Sequence, residues 1–125
     1  MNLLEFVSAN RGEFLGLVLQ HLALVTVSTV LAVLVGVPTG IVVTRRPSLS
    51  GAVLGAANIL QTVPSLALFG LLIPLPFIGG VGARTAVVAL VVYALLPVIR
   101  NTVTGIRGIA PAVREAALGM GMSDG

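Results

Sequence analysis

Residues 14–44, FLGLVLQHLALVTVSTVLAVLVGVPTGIVVT, run for 31 positions without a charged side chain. As an α-helix this run reaches about 46 Å at 1.5 Å per residue. A bilayer core is ~30 Å thick and needs roughly 20 apolar residues to cross. The run therefore holds one membrane span with length to spare. Working outward, Arg46 to Arg84 encloses 37 uncharged residues, and Arg84 to Arg100 encloses 15. The second gap holds a span plus a loop. The third is short, but Arg84 and Arg100 can snorkel to the two interfaces and extend it. The expected spans are 19–43, 52–73 and 82–100, in an all-α integral membrane fold.

Composition agrees with this reading. Of 125 residues, 57% are hydrophobic and 9% charged, where soluble domains carry roughly 25% charge. So little charge cannot cover a water-facing surface, which excludes a soluble enzyme, a disordered tail and a nucleic-acid binder. The basic balance comes from seven Arg against four acids, with no Lys and no cluster, so no phosphate-tracking footprint exists. Cysteine is absent, which excludes disulfides and thiolate metal sites. No acid lies inside a span, and this argues against a proton-coupled carrier.

The arginines set an orientation. Arg45, Arg46, Arg100, Arg107 and Arg114 share one side of a three-span chain, and Arg11 and Arg84 share the other. The N-terminus is expected outside and the C-terminus in the cytoplasm. Residues 1–18 read as an N-terminal interfacial segment, with a short helix over 2–9. They lack the basic start and cleavage site of a signal peptide. Asn10 and Glu13 resemble a capping box opening the next helix.

Span two carries a polar face. Asn58, Gln61, Thr62 and Ser65 fall at i, i+3, i+4 and i+7 of one helix, and Gly51 and Gly55 extend the row. Amides and hydroxyls in lipid need partners, so this face meets another helix or a wet path. Pro64 removes one backbone bond and kinks the helix. A kinked polar face fits a pore lining or gate; it equally fits helix packing through small residues and amides. Span one has a stripe of Ser28, Ala32, Gly36, Thr39 and Gly40, which fits close helix packing. His21 is a structural residue, since a zinc site needs three or four ligands. Span three aligns Ala86, Ala89, Tyr93 and Pro97, ending at Arg100. One Tyr, four Phe and no Trp do not build an aromatic cage for a quaternary ammonium. Tight substrate recognition is expected elsewhere. Residues 74–83 form a turn-rich outer loop.

A short amphipathic helix is expected over about 111–119. Pro111 suits its first turn, and Val113, Ala116, Ala117 and Met120 make one apolar face. Gly119 and Gly121 can end it in the left-handed conformation. With no aromatic anchor on that face, protein docking fits better than lying on lipid.

Three blocks resemble a known family. Glu115-Ala116-Ala117 with Gly121 four residues on resembles the opening of the EAA loop of ATP-binding-cassette importer permeases, with Gly119 an additional glycine. Gln61 to Leu68 (QTVPSLAL) resembles the second-span signature of permeases that import osmoprotectants such as glycine betaine, choline or carnitine. Tyr93 to Thr102 (YALLPVIRNT) and Gly105-Ile106-Arg107 resemble the same subgroup. The resemblance covers residues 14–125 and implies a type I importer transmembrane domain, of which 19–125 is the N-terminal part. It implies docking of Arg114, Glu115, Ala116, Ala117, Gly119 and Gly121 on a cytoplasmic ATPase. It implies a path or gate at Asn58, Gln61, Thr62, Pro64, Ser65 and Tyr93. It also implies a permease homodimer or paralogue heterodimer and a separate extracytoplasmic substrate-binding protein, with membrane lipid around the bundle and no cofactor, metal or nucleic acid.

The motif normally continues with an apolar residue and Leu-Pro, then further spans, but this sequence stops at Gly125 inside it. The expectation is a fragment or truncated copy. A small helical membrane scaffold without transport of its own is the competing reading. A small multidrug-type exporter would need an intramembrane carboxylate and four spans, and an enzyme would need a convergent acid, base and nucleophile.

Overall fold

A computed structural model of the chain describes residues 2–123. Met1, Asp124 and Gly125, including the expected end of the partial domain, lie outside the described residues. The order is α1 (Leu3–Ala9), α2 (Arg11–Arg45), α3 (Pro47–Thr62), α4 (Ser65–Leu72), α5 (Ala83–Arg107) and α6 (Pro111–Gly119). No strand occurs among the described residues. Helices α2 and α5 are each long and apolar enough to cross a membrane, and α3 with α4 makes a third crossing if the bent pair counts as one. The fold is that of an all-helical membrane protein.

Helix α2 starts at Arg11, after the Asn10 expected to open it, continues through the expected span from 19, and runs for 35 residues, or about 52 Å. Charges at Arg11 and Glu13 do not stop a helix, and no proline intervenes before Pro38. The expected interfacial segment is thus divided. Only α1 is separate, and residues 11–18 continue the α2 axis. The capping box also sits elsewhere than expected. Asn10 Nδ2 donates back to the Phe6 carbonyl at 3.0 Å, finishing α1 rather than capping α2 through its side chain. The reach-back typical of a capping box is made by Glu5, whose Oε2 accepts from the Asn2 N–H at 3.0 Å.

Helix α5 is the hub and touches α2, α3 and α4. Its seam with α2 is parallel: Gly36 faces Leu95 and Val98, and Gly40 faces Ile99 and Thr102. The α2 residues buried there are Ser28, Ala32, Gly36, Gly40 and Val43, recurring at helical spacing on one stripe. This is the small-residue row expected from the sequence, with Thr39 half-buried beside it. The glycines are required by the close approach. A Cβ at Gly36 would stand 2.7 Å from Val98 Cγ1, and one at Gly40 would stand 2.6 Å from Thr102 Cβ and 3.2 Å from the Ile99 carbonyl oxygen. Removing side chains lets backbones approach until dispersion contacts saturate, which drives helix association in lipid.

Two apolar clusters fasten the rest to α5. Val43, Ile99 and Val103 pack with Val53, Leu54 and Leu95, joining α2, α3 and α5. Leu68, Leu72 and Ala89 pack with Val63, Phe69, Val88, Val92 and Tyr93, joining α4 to α5. Elsewhere the surface is apolar. Leu15, Leu17, Leu19, Leu22 and Leu34 on α2 are each more than half exposed, as a lipid-facing or further-covered helix requires.

The 73–82 turn closes over the start of α5. Thr85 Oγ1 donates to Gly80 O at 2.6 Å, and Arg84 Nη1 donates to Phe77 O at 3.1 Å. Gly79 is tightest, since a Cβ there would meet three carbonyl oxygens at 2.2–2.6 Å.

Candidate functional site

The first part of the site is the break between α3 and α4. A residue before proline is pushed out of the α region, and Val63 is extended at φ −74°, ψ 122°. Pro64 has no N–H to continue the helix. The chain re-enters a helix at Ser65, with Leu68 N–H donating to Pro64 O at 3.0 Å. The two helices meet at 98°. The sequence implied a single kinked helix over 52–73; the structure has two helices with different directions.

That bend corrects the expected polar face. Asn58, Gln61 and Thr62 lie on α3, whereas Ser65 opens α4 beyond the turn. All four, with Pro64, are exposed. Thr62 Oγ1 donates to its own helix at Ile59 O, 2.7 Å away. The other contacts reach α5. Tyr93 donates its hydroxyl to the Val63 carbonyl, satisfying a carbonyl that the break leaves outside the helical ladder. One turn or so back along α3, Asn58 Oδ1 accepts from Arg100 Nη2 at 2.7 Å. Helices α3 and α5 are therefore antiparallel, pinned at 58–100 and 63–93. The sequence read Arg100 as a snorkelling interface residue and missed its pairing. The available signal was an amide inside an apolar segment, which needs a partner in lipid.

The second part is α6, whose bounds agree with the expected 111–119. Pro111 occupies its first turn. At its end Met122 N–H donates to Ala117 O and Gly121 N–H to Leu118 O, both at 3.0 Å. With Gly121 at φ +81°, this is a Schellman ending, which favours glycine because a Cβ is disfavoured there. Gly119 is different. It is the last helical residue, without positive φ and with open space around it, so it does not terminate the helix.

Helix α6 makes no close backbone approach to any other described helix. A cleft separates it from the ends of α2 and α5, with Val113 and Ala117 on the cleft side. The apolar face read from the sequence is thereby split. Ala117 is half-buried, whereas Arg114, Glu115, Ala116 and Met120 are exposed.

Residues 32–125 match the family described as binding-protein-dependent transport system inner membrane component. The osmoprotectant import permease protein OsmW of Salmonella typhimurium is 45% identical across 98% of this chain and 58% of its own length. The choline transport system permease protein OpuBB of Bacillus subtilis is 42% identical across 98% of this chain and 55% of its own length. The glycine betaine/carnitine/choline transport system permease protein OpuCB of the same organism is 42% identical across 97% and 54% respectively. The chain spans about half the length of these relatives. No solved structure matches it.

Proposed function

The chain belongs to the family of binding-protein-dependent transport system inner membrane components, and on that premise we propose that it is a permease subunit of an ATP-binding-cassette importer. It forms part of the membrane path for quaternary-ammonium osmolytes such as glycine betaine or choline, the solutes named in its relatives. A separate ATPase subunit drives it and an extracytoplasmic protein delivers the solute. A second permease copy or a paralogue completes the pore. The N-terminus lies outside and the arginine-rich end in the cytoplasm. Residues 19–125 are the N-terminal part of the transmembrane domain. Asn58, Gln61, Thr62, Pro64, Ser65 and Tyr93, around the break, line or gate the path.

The observation that carries this reading is the exposed, Schellman-capped α6 held off the bundle. Glu115 and Ala116 face outward on it. A nine-residue helix is marginal in water on its own, so it is stabilised by docking. Glu115 contacts the ATPase, Ala116 and Ala117 permit close approach, and Gly121 sets the chain direction beyond. Glu115→Lys tests it in an ATPase pull-down paired with osmolyte uptake. Association and uptake should both fall at least about tenfold, the cost of reversing a charge in a close interfacial pair. Unchanged association would instead favour a scaffold with no coupling role.

A further inference from the structure

We propose that the turn over residues 73–82 is a membrane-interface anchor, with Phe77 and Val81 set among lipid chains at the bilayer face opposite Arg107. Helix α5 gives the depth. Arg84 and Arg107 stand near its two ends, about 34 Å apart along the axis at 1.5 Å per residue. A hydrocarbon core is ~30 Å thick, so the two arginines mark its two faces. Arg84 Nη1 donates to Phe77 O at 3.1 Å, which ties the turn to the level of Arg84. Composition selects lipid over water. Residues 73–82, IPLPFIGGVG, contain no polar side chain. Turns in water draw on Asn, Asp and Ser, and a protein-docking surface carries a polar rim. Yet Phe77 is 92% and Val81 97% exposed.

The backbone holds these side chains outward. Phe77 has φ +71°, the one positive φ among the described non-glycine residues, and a bulky side chain is disfavoured there. Strain of this kind persists where the surroundings over-determine it. Gly79 N–H donates to Leu75 O and Gly80 N–H to Ile73 O, both at 2.9 Å, and Thr85 Oγ1 holds Gly80 O from α5. Glycine would suit that φ, and an exposed Phe77 packs little against its own chain, so what the ring contacts lies outside. A phospholipid fits both parts of this surface. Acyl carbons cover Phe77 and Val81, and the lipid phosphate accepts from the Arg84 N–H groups that Phe77 leaves unused. The inference goes beyond the permease reading and does not depend on it.

The chain has no Trp, so Phe77→Trp supplies a single reporter in the turn. The whole chain is reconstituted in phosphatidylcholine vesicles brominated either near the headgroup or near the chain ends. Shallow bromines should quench at least about twofold more strongly than deep ones, as a side chain ~5–10 Å into the headgroup and acyl boundary requires. Acrylamide should quench about fivefold less than it quenches a free tryptophan amide in buffer. Adding Val81→Asp should raise acrylamide quenching about threefold, because a carboxylate draws the turn toward water. Val81→Trp repeats the quenching measurements should Phe77→Trp lose helical circular dichroism. Full acrylamide quenching would place the turn in water and overturn the proposal. Protection from acrylamide and from both brominated lipids would mean that protein covers the turn, and overturns it equally. Stronger quenching by the deep bromines would remove the turn from the interface.

Discussion

Helix α5 meets its two main neighbours by opposite means. Its seam with α2 is closed by missing side chains, with Gly36 and Gly40 set against Val98 and Thr102. The α3–α4 pair is attached by one apolar cluster at each helix and by two polar pins, Arg100 to Asn58 and Tyr93 to Val63. A seam of small residues has one geometry, because any added atom strikes backbone or a β-carbon. A polar pin is a single bond of about 1 kcal/mol that can be exchanged for another. The difference assigns the two regions different work: α2 with α5 is the frame, and the broken pair is the part suited to change partners.

The comparison breaks most visibly at Gly40. Gly40→Leu inserts a side chain where even a Cβ would lie 2.6 Å from Thr102 Cβ and 3.2 Å from the Ile99 carbonyl. The cost should be about 3 kcal/mol or more, read as loss of folded chain in detergent unfolding. Gly40→Ala should cost less, and Thr102→Gly should recover part of that cost in a double-mutant cycle. A tolerated Gly40→Leu would mean that the two helices do not share this seam.

Pro64→Ala addresses the other region. Without the ring, Val63 is free to enter the α region, and α3 and α4 can join into one helix. Spin labels at Ile59 and Leu71, both exposed, should move apart toward the ~18 Å that 12 residues of straight helix span. Uptake by the proposed permease should fall, with little loss of folded protein. An unchanged label distance would place the cause of the bend in the α4–α5 contacts instead.

That division also explains what the sequence could reveal. The small-residue row on α2 was legible because glycines at helical spacing leave a local mark. The bounds of α6 were legible for a similar reason, with Pro111 and Gly121 marking its two ends. The 98° bend was not. Proline before Ser65 says that a helix stops but not where the next one points, and the contacts of Leu68 and Leu72 with Ala89 that accompany the new direction lie on a distant segment. The loss of Ser65 from the polar face follows from the same bend. The Arg100–Asn58 pin spans 42 positions, and no periodicity records a pairing of that kind. The start of α2 is legible at Asn10, which stands at its N-cap position, whereas the side-chain cap expected there is not made.

Tyr93→Phe sharpens the account of the break itself. It removes one hydroxyl and leaves the ring packed in the Leu68, Leu72 and Ala89 cluster. The Val63 carbonyl then loses its α5 partner, at a cost of about 1 kcal/mol. The measurement is a shift in unfolding midpoint, with hydrogen exchange rising around residues 60–66 and not along α2. A shift spread over the α2–α5 seam would show that the pin and the frame are coupled.

The smallest effect is the most discriminating. Gly55 sits inside α3 with nothing within 4 Å of where its Cβ would lie. Helical glycine is less favourable than alanine by about 0.8–1.0 kcal/mol in peptides. Gly55→Ala should therefore raise stability by about 0.5 kcal/mol, while the same change at Gly36, whose Cβ would meet Val98 Cγ1 at 2.7 Å, should lower it. One substitution with opposite signs on two helices isolates close approach from helix propensity, since propensity acts alike at both. A Gly55→Ala that instead destabilises the proposed permease assembly, but not the isolated chain, would locate a further helix against Gly55 and make α3 a second seam. The contrast between frame and broken pair would then hold within the chain and disappear in the assembly.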